Sequence, residues 1–289
     1  MRLKKGLMIS AIALASALAL SGCADTGAAP TAAPVEESPE FDAGTTMATL
    51  SEAGEITIGT KFDQPLFGLK GPDDKPVGFD VEIGKLIAAK LGIAADKIEW
   101  IETVSANREP FIQNGQVDMV VATYTINDTR KEVVDFAGPY YEAGQDLLVL
   151  EGNPDNITGP DDLTGKPVCT VSGSTSEKNI AAYTDNVIAT DQYSNCLAPL
   201  RSGEVVAVTT DNVILAGLAD QNPGEFEVID KPFTKEPYGI GLKKDDTEFR
   251  NFINDVLEEA YEDGSWAAAW DATAGKVLET PTPPAVDRY

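Results

Sequence analysis

Histidine is absent from this sequence of 289 residues. Histidine is the most common general base and the most common metal ligand in proteins, so its absence argues against many hydrolytic and metal-dependent enzymes. No segment of the sequence pairs a nucleophile with a base, gathers metal ligands or forms a phosphate-binding loop. We therefore expect no catalytic residue, no metal site and no cofactor.

Basic residues are also scarce. The chain has 22 Lys and Arg residues against 47 Asp and Glu residues, which gives a net charge of −25 at pH 7. A nucleic-acid partner is not expected, because phosphate binding needs clustered Lys and Arg. The acidity suits a soluble monomer. The apolar fraction of 43% is typical of a globular protein, and the length allows one or two domains.

The N-terminus carries an apolar run over residues 7–20, which follows a basic start at Arg2, Lys4 and Lys5. The run is too short for a comfortable membrane span and is typical of a secretion signal. It closes with Leu20-Ser-Gly-Cys23, which resembles the bacterial lipobox, in which the cysteine becomes the lipidated first residue after cleavage. We predict a lipoprotein signal peptide over residues 1–22 and a lipid anchor on Cys23. Plain secretion is the alternative.

Two segments lack any apolar period. Residues 24–47 are rich in Ala, Pro, Thr and Glu, which predicts that residues 23–50 are a flexible tether holding a domain close to the outer face of the membrane. The end of the chain contains three prolines after Thr280, which predicts a loose tail over residues 276–289.

Between these segments, strand and helix patterns alternate, as expected for an α/β protein with parallel sheets. The pattern restarts after an extended segment at residues 144–150, and residues 201–211 echo residues 113–123. The chain thus leaves a first lobe near residue 145 and returns to it near residue 237. We predict one lobe from residues 51–145 and 237–275, a second from residues 146–236, two crossover hinge segments and a ligand cleft between the lobes.

The stretch from Asp118 to Arg130 combines a buried strand, a polar turn and a helix start. Thr123 and Thr125 lie in the turn, and Asn127 is a suitable N-cap. Small ligands bind at such strand ends in open α/β folds, and a helix start favours an anion. Because a guanidinium grips a carboxylate with two hydrogen bonds, Arg130 predicts a carboxylate site. The alternative is an ordinary strand–turn–helix with a surface arginine.

Six short motifs follow one another along the chain: Gly78-Phe-Asp-Val-Glu82, residues 123–130, residues 136–141, Ser172-Gly-Ser-Thr175, Thr210-Asp211 and residues 238–246. In this order they resemble the extracellular solute-binding proteins of family 3, which capture polar amino acids for ABC importers. The resemblance covers about residues 55–270 and implies the type II periplasmic-binding-protein fold. It is strongest to the lipid-anchored glutamate-binding proteins of Gram-positive bacteria, through residues 60–65, Asn107-Arg108 before Gln113-Asn-Gly115, and the paired Cys169 and Cys196.

The resemblance implies a role for each ligand-binding residue. Arg130 is expected to pair with the ligand's α-carboxylate, with Thr125 and Thr175 as donors to it and Ser174 at the same anion-friendly helix start as Thr175. Thr123 and Asp211 are expected to receive the α-ammonium. Lys61 and Arg108 are expected to face the carboxylate of the ligand's side chain. An amino acid is a zwitterion, so a site with one anion, one cation and several neutral dipoles agrees with the residues themselves. The alternatives are helix capping for Ser174, Thr175 and Asp211, and surface charges for Lys61 and Arg108.

The two cations Lys61 and Arg108 predict an acidic ligand, glutamate or aspartate, because an unpaired buried carboxylate costs several kcal/mol. Glutamine or asparagine is the alternative ligand. The family often places an aromatic residue near Gln64, where this sequence is polar, so Phe67 or Tyr124 is the candidate to cover the ligand.

The resemblance also implies a disulfide between Cys169 and Cys196, which an exported protein permits. The expected partners of the protein are the permease and ATPase subunits of an importer. A ligand sensor, or a dehydratase that uses Glu109 or Glu142, is the rival function.

Overall fold

The computed structural model describes residues 34–289. The first passage through lobe 1 contains these helices and strands in chain order: α1 (Thr46–Ala53), β1 (Ile56–Thr60), β2 (Asp63–Gln64), β3 (Gly68–Lys70), β4 (Pro76–Val77), α2 (Phe79–Lys90), β5 (Ile98–Glu102), α3 (Arg108–Gln113), β6 (Met119–Val120), α4 (Asp128–Lys131) and β7 (Asp135–Ala143).

Lobe 2 follows without interruption and consists of β8 (Gln145–Leu150), β9 (Val168–Val171), α5 (Thr175–Ile180), β10 (Val187–Thr190), α6 (Leu197–Ser202), β11 (Ala207–Asp211), α7 (Asn212–Asp220) and β12 (Phe226–Val228). The chain then returns to lobe 1 with β13 (Glu236–Leu242), α8 (Thr247–Asp263) and α9 (Ser265–Ala272).

Each lobe is built on a five-stranded sheet, in the order β5-β1-β6-β13-β7 in lobe 1 and β10-β9-β11-β8-β12 in lobe 2. The predicted two-lobed α/β fold with two crossings is confirmed. The sheets are only partly parallel, however. Strand β1 pairs parallel with β5 and β6, whereas β13 pairs antiparallel with β6 and β7, and β8 pairs antiparallel with β11 and β12. Strand β13 in lobe 1 and strand β8 in lobe 2, with which the chain enters each lobe after a crossing, run against the other four strands of their sheets.

The core of lobe 1 contains an aromatic cluster, in which Phe67, Phe79, Tyr140, Trp266 and Trp270 are at most 1% exposed. Their rings meet mostly edge to face, with the centroids of Phe79 and Trp270 5.0 Å apart. Phe79 lies at the start of α2, and the two tryptophans lie on α9. The cluster therefore joins the first and last parts of lobe 1, which are distant in sequence.

The predicted tether is wrong for residues 46–50, which form the first part of α1. Thr45 caps this helix by accepting a hydrogen bond from the Ala48 backbone N–H at 3.1 Å. Leu50 is buried in the core, and the Phe41 ring meets Phe252 of α8 with centroids 5.5 Å apart. The signal peptide and Cys23 lie outside the described residues, so those expectations stay predictions.

The predicted loose tail over residues 276–289 is also wrong. It forms no long helix or strand, but Leu278 and Val286 pack against the core. The Tyr289 hydroxyl accepts a hydrogen bond from the Phe136 backbone N–H at 2.9 Å, and the Asp287 N–H donates to the Gly138 carbonyl at 2.8 Å. Side-chain and backbone contacts to β7 thus hold a segment that has no periodic pattern. No helix in the described part of the chain has the length and apolar character needed to span a bilayer.

Candidate ligand-binding cleft

A polar cleft lies between the two lobes, at the ends of their central strands. It has an empty volume of about 220 Å³, including solvent at its mouth. Both lobes contribute to its lining, which consists of Gln64, Ser105, Arg108, Thr123 and Thr125 from lobe 1 and Ser174, Thr175, Ser176, Tyr193, Asp211 and Ile214 from lobe 2. Six of the eight sequence-predicted ligand residues are in this set. Lys61 and Arg130 are not.

The two lobes are closed upon each other around the cleft. The Tyr193 backbone N–H of lobe 2 donates to Asp63 Oδ2 of lobe 1 at 2.9 Å, and the hydroxyl oxygens of Thr125 and Thr175 are 3.5 Å apart. Two glycines mark the tightest approaches. A Cβ atom on Gly173 would lie 2.8 Å from Ala106 Cα, and one on Gly217 would lie 2.7 Å from the Pro65 carbonyl oxygen. Only glycine fits at either contact without a shift of the backbone.

Asp80 holds the turn that carries Thr123. Thr123 has a left-handed backbone with φ of 44°, which is uncommon for a residue with a side chain. Its N–H donates to Asp80 Oδ2 at 2.8 Å, and the Tyr140 hydroxyl donates to Asp80 Oδ1 at 2.6 Å. Burial raises the pKa of Asp80 to about 7. Asp80 belongs to the Gly-Phe-Asp-Val-Glu motif, so this motif supports the cleft from behind.

Arg108 is a pre-positioned cation in the cleft wall. Its Nε donates to the Ser105 carbonyl at 3.2 Å, and its Nη1 donates to the carbonyls of Ala122 at 3.2 Å and Thr123 at 3.4 Å. The guanidinium also lies over the Tyr124 ring, with Cζ 4.3 Å from the centroid. Nη2 makes no hydrogen bond within residues 34–289. Burial lowers the pKa of Arg108 to about 10, so the side chain stays charged at neutral pH with one nitrogen available.

Lys61 lies behind Ser105 rather than in the wall. It is 3% exposed, and its Nζ donates to Ser105 Oγ at 2.8 Å. Lys61 forms no ion pair with any described residue. Burial, followed by the charge of Arg108, lowers its pKa to about 7. In its ammonium form lysine can only donate, so Ser105 Oγ accepts and the Ser105 proton is left to point at another acceptor.

Arg130 is the predicted residue whose environment differs most from expectation. Its Nε donates to Glu109 Oε1 at 3.0 Å, its Nη1 to the Thr125 carbonyl at 2.7 Å and its Nη2 to the Gly173 carbonyl at 3.2 Å. All three nitrogens therefore have acceptors, and one of those acceptors is in lobe 2. Asn127 caps α4 as predicted, since its Oδ1 accepts from the Arg130 N–H at 2.9 Å. The contact of Arg130 with a ligand carboxylate stays a prediction.

In lobe 2, Ser174 caps α5 by accepting from the Glu177 N–H at 2.9 Å, so its capping interpretation is confirmed. The capping interpretation of Asp211 is wrong. Asp211 stands at the N-cap position of α7 but makes no capping hydrogen bond. Its Oδ2 accepts from the Tyr238 hydroxyl at 2.6 Å, and its Oδ1 is buried without a partner among the described residues. Burial, followed by the charge of Glu236, raises the pKa of Asp211 to about 7.

The cleft thus presents opposite charges from opposite lobes, with hydroxyl groups between them. Among residues 34–289, one nitrogen of Arg108 in lobe 1 and one oxygen of Asp211 in lobe 2 make no hydrogen bond. Such a site is matched by a small molecule that carries both an anionic and a cationic group.

Comparison with known proteins places this geometry in a family. The family model for bacterial extracellular solute-binding proteins, family 3, matches residues 56–272. The chain belongs to this family.

Two relatives differ in the ligand that they are named for. The glutamate-binding protein GluB of Corynebacterium efficiens is 43% identical over 239 residues, which are 78% of this chain and 81% of that protein. The glutamine-binding protein of Geobacillus stearothermophilus is 39% identical and covers 83% of this chain and 92% of that protein. Among solved structures, an ancestral arginine-binding protein bound to glutamine has a TM-score of 0.69 at 37% identity, over 75% of this chain and 96% of that chain.

The expected disulfide of this family 3 protein is present. Cys169 of β9 and Cys196 are bonded, with their Cα atoms 5.6 Å apart. Cys196 ends the helical turn that begins at Tyr193. The disulfide therefore fixes to the sheet the turn that brings Tyr193 into the cleft.

Neither of the aromatic residues proposed to cover the ligand lines the cleft. Phe67 belongs to the aromatic core of lobe 1, and Tyr124 is fully buried between the guanidinium groups of Arg108 and Arg130, at 4.3 and 4.9 Å. Tyr193 is the aromatic residue that lines the cleft, and sequence reasoning missed it. Cys196 was the available signal in the sequence, because a disulfide at this position restricts the turn over residues 193–196.

Proposed function

We propose that this family 3 solute-binding protein binds an acidic amino acid, glutamate or aspartate, and delivers it to the permease and ATPase of an ABC importer. The observation that carries the proposal is the pair of free groups on opposite lobes. Arg108 Nη2 offers a donor to a carboxylate, and Asp211 Oδ1 offers an acceptor to an ammonium. Relatives named for glutamate and glutamine support an amino acid as the ligand.

The polarity of the lobe 1 wall favours a carboxylate over a carboxamide. Ser105 has its acceptor occupied by Lys61, and Gln64 has its Oε1 occupied by the Thr123 hydroxyl at 2.9 Å. Gln64 Nε2 is buried without a partner among the described residues. The groups in this wall that still lack a partner are donors, and the two acceptor oxygens named above already accept one hydrogen bond each. A carboxylate satisfies these donors, whereas the NH₂ of glutamine would share an oxygen already in use and leave a donor unpaired, and an unpaired buried polar group costs about 1–3 kcal/mol.

Glutamine is the second candidate, and one observation favours it. The pKa of Lys61 is lowered to about 7, mainly by burial, so near neutral pH part of the population carries no charge at this position. A wall with one cation instead of two tolerates a neutral side chain better.

Calorimetry on the chain without residues 1–23 tests the ligand, with glutamate, aspartate, glutamine and asparagine titrated separately. We expect tight binding of glutamate or aspartate, and we expect Arg108→Ala to weaken it much more than it weakens glutamine binding. Arg201→Ala, an exposed arginine on α6, is the matched control. A preference for glutamine in the unsubstituted protein would refute the acidic ligand but leave the transport role, and binding of no amino acid would refute both.

The rival dehydratase needs a carboxyl group free to act on a substrate. Glu109 is occupied by Arg130, and Glu142 pairs with Lys235 at 3.1 Å, and neither lines the cleft. Recovery of glutamate unchanged after prolonged incubation with the protein is the expected result. A new product would favour the enzyme.

Membrane attachment completes the proposal: a signal peptide over residues 1–22 directs export, and a lipid on Cys23 anchors the protein to the outer face of the membrane. Metabolic labelling with a clickable palmitate analogue tests this. We expect labelling of the native chain and none of Cys23→Ala, which should appear in the medium. Equal labelling of both would refute the anchor. Deletion of the gene for this protein should abolish uptake of its amino acid, whereas deletion of a pure sensor would leave the transport step intact.

A further inference from the structure

A buried carboxylate without a cation lies beside the cleft. Glu236 begins β13, where the chain returns to lobe 1, and is 2% exposed. Its Oε1 accepts from Asn179 Nδ2 at 3.2 Å and from the Thr234 hydroxyl at 2.8 Å. Its Oε2 is buried without a partner, and within residues 34–289 Glu236 forms no ion pair. Burial of a carboxylate without a compensating cation is costly, so this residue calls for an explanation.

Glu236 and Asp211 approach the same side of β13. Glu236 and Tyr238 are two positions apart on β13, so their side chains point to the same side of the strand. The Tyr238 hydroxyl donates to Asp211 Oδ2 at 2.6 Å, which brings Asp211 to that side as well. A second link runs through lobe 2. Gln145 of β8 lies opposite Asp211 of β11 in the sheet. The Asn179 side-chain amide donates both to Gln145 and to Glu236. Two buried carboxyl groups, each with one oxygen that has no partner among the described residues, thus lie on the same side of β13.

We infer that Asp211 and Glu236 form a buried carboxyl pair in which Asp211 carries a proton in the ligand-free protein and releases it to solvent when the ligand's ammonium binds to Asp211 Oδ1. Glu236 does not touch the ligand in this arrangement. It is a positioning residue that acts through Asp211 and couples binding to proton release. The inference rests on the proposed function in one respect, namely that the ligand carries an ammonium group.

The groups around Asp211 support a proton on this residue. Those that face it are Glu236, Tyr238, Tyr141, Tyr193, Arg108 and Arg130. Burial raises the pKa of each of the three tyrosines, so they are neutral donors near pH 7. The two arginines favour the ionised form of Asp211, but burial and the Glu236 charge outweigh them and raise its pKa to about 7. A second carboxyl group in the same buried site disfavours ionisation of Asp211, which has no cation paired with it among residues 34–289.

The ligand's ammonium supplies that cation. It stabilises the ionised form of Asp211, so the pKa of Asp211 is lower in the complex than in the free protein. Below the pKa of the free protein, at about 7, a proton must leave for each ligand that binds. Affinity therefore rises with pH up to this value, by as much as about tenfold per pH unit for one proton, and levels off above it.

Calorimetry with glutamate at several pH values, each in two buffers of different ionisation enthalpy, measures the protons released. We expect the native chain to release a sizeable fraction of a proton near pH 7. Glu236→Gln keeps an oxygen for Asn179 and Thr234 but removes the charge. Its proton release near pH 7 should fall, because the charge of Glu236 no longer raises the pKa of Asp211, and its affinity should level off at a lower pH. Glu142→Gln, which changes an exposed carboxylate near the same crossing, should behave like the native chain.

Absence of proton release from the native chain between about pH 5.5 and 8 would overturn the inference, as would unchanged release in Glu236→Gln. Carbon-13 NMR of the aspartate carboxyl groups tests the ligand-free protein directly, with Asp211→Asn used for assignment. Asp211 should titrate near neutral pH in the native chain and at lower pH in Glu236→Gln. If Asp211 shows this shift but no amino acid binds, the proposed ligand is wrong and the carboxyl pair stands. If glutamate binds and Asp211 titrates as an ordinary aspartate, the pair is wrong and the ligand stands.

Discussion

Ser105 provides the sharpest test of how the lobe 1 wall reads a ligand carboxylate. Its hydroxyl accepts from Lys61 Nζ at 2.8 Å and lines the cleft, while Lys61 itself does not. Lys61 therefore acts on the ligand through Ser105, because it leaves the hydroxyl proton free to donate. Replacing Ser105 by alanine removes this donor and leaves the buried Lys61 amine without a partner.

The expected magnitude follows from the chemistry of that donor. A hydrogen bond to a charged group contributes about 1.5–3 kcal/mol, which corresponds to roughly a 10- to 150-fold loss of glutamate affinity in Ser105→Ala. Glutamine loses less, since its carbonyl is uncharged. Lys61→Met removes the donor that orients the Ser105 hydroxyl. It should weaken glutamate binding by about 1 kcal/mol in the native background and by much less in the Ser105→Ala background.

A double-mutant cycle by calorimetry, with Ser202→Ala on the exposed end of α6 as control, measures the coupling between these two residues. We expect a coupling free energy of about 1 kcal/mol for glutamate binding. If the losses from the two substitutions simply add, Lys61 acts on the ligand independently of Ser105 and the reasoning fails. Thermal unfolding adds a second readout. Lys61→Met should stabilise the Ser105→Ala protein, in which the amine has lost its hydrogen-bond partner.

Three further predictions concern stability. Because the pKa of Asp80 is raised to about 7 in the folded protein, mainly by burial, the folded state holds more protons than the unfolded state between about pH 4 and 7. The contribution of Asp80 to the free energy of unfolding therefore decreases as pH rises through this range. Asp80→Asn should remove this dependence of the free energy of unfolding on pH, as measured by denaturant titrations at several pH values. An unchanged dependence on pH would contradict the assignment. Replacing Cys169 and Cys196 together by serine should cost about 3 kcal/mol of unfolding free energy in urea, and no loss would show that the sheet holds the turn without the bond. Deletion of residues 281–289 should lower the melting temperature by several degrees, because it removes the apolar contact of Val286 with the core and the hydrogen bond between Tyr289 and Phe136. An unchanged melting temperature would mean that the tail does not contribute to stability.

Local signals in the sequence predicted much of the cleft. Asn127 and Ser174 cap helices as their positions imply, because capping depends on residues within one turn. The strand ends at Thr123 and Asp211 meet at the cleft because parallel strands deliver their carboxyl ends to one edge of each sheet. These features depend on chain neighbours and on sheet topology, both of which the pattern of apolar residues contains.

The features that sequence reasoning missed depend on contacts between distant residues. Arg130 meets Glu109, which lies 21 positions earlier, and no local pattern marks that pair. The depth of Lys61 behind Ser105, which is 44 positions later, depends on how the loops between strands pack. Asp211 stands where a cap is expected, and only the Tyr238 hydroxyl from the returning strand shows that its carboxylate is used differently.

The close contacts at Gly173 and Gly217 limit the length of the ligand that the closed cleft can hold. Each glycine meets lobe 1 backbone at a distance that leaves no space for a single methyl group. The lobes can therefore approach no further, and the space between them is set by the backbone itself. Alanine at position 217 would act as a spacer, and the altered protein should shift its preference towards longer amino acids, whereas alanine at position 173 would also strain a backbone with φ of 76°. The absence of a side chain at Gly173 and Gly217 thus sets the space that is available to a ligand between the lobes.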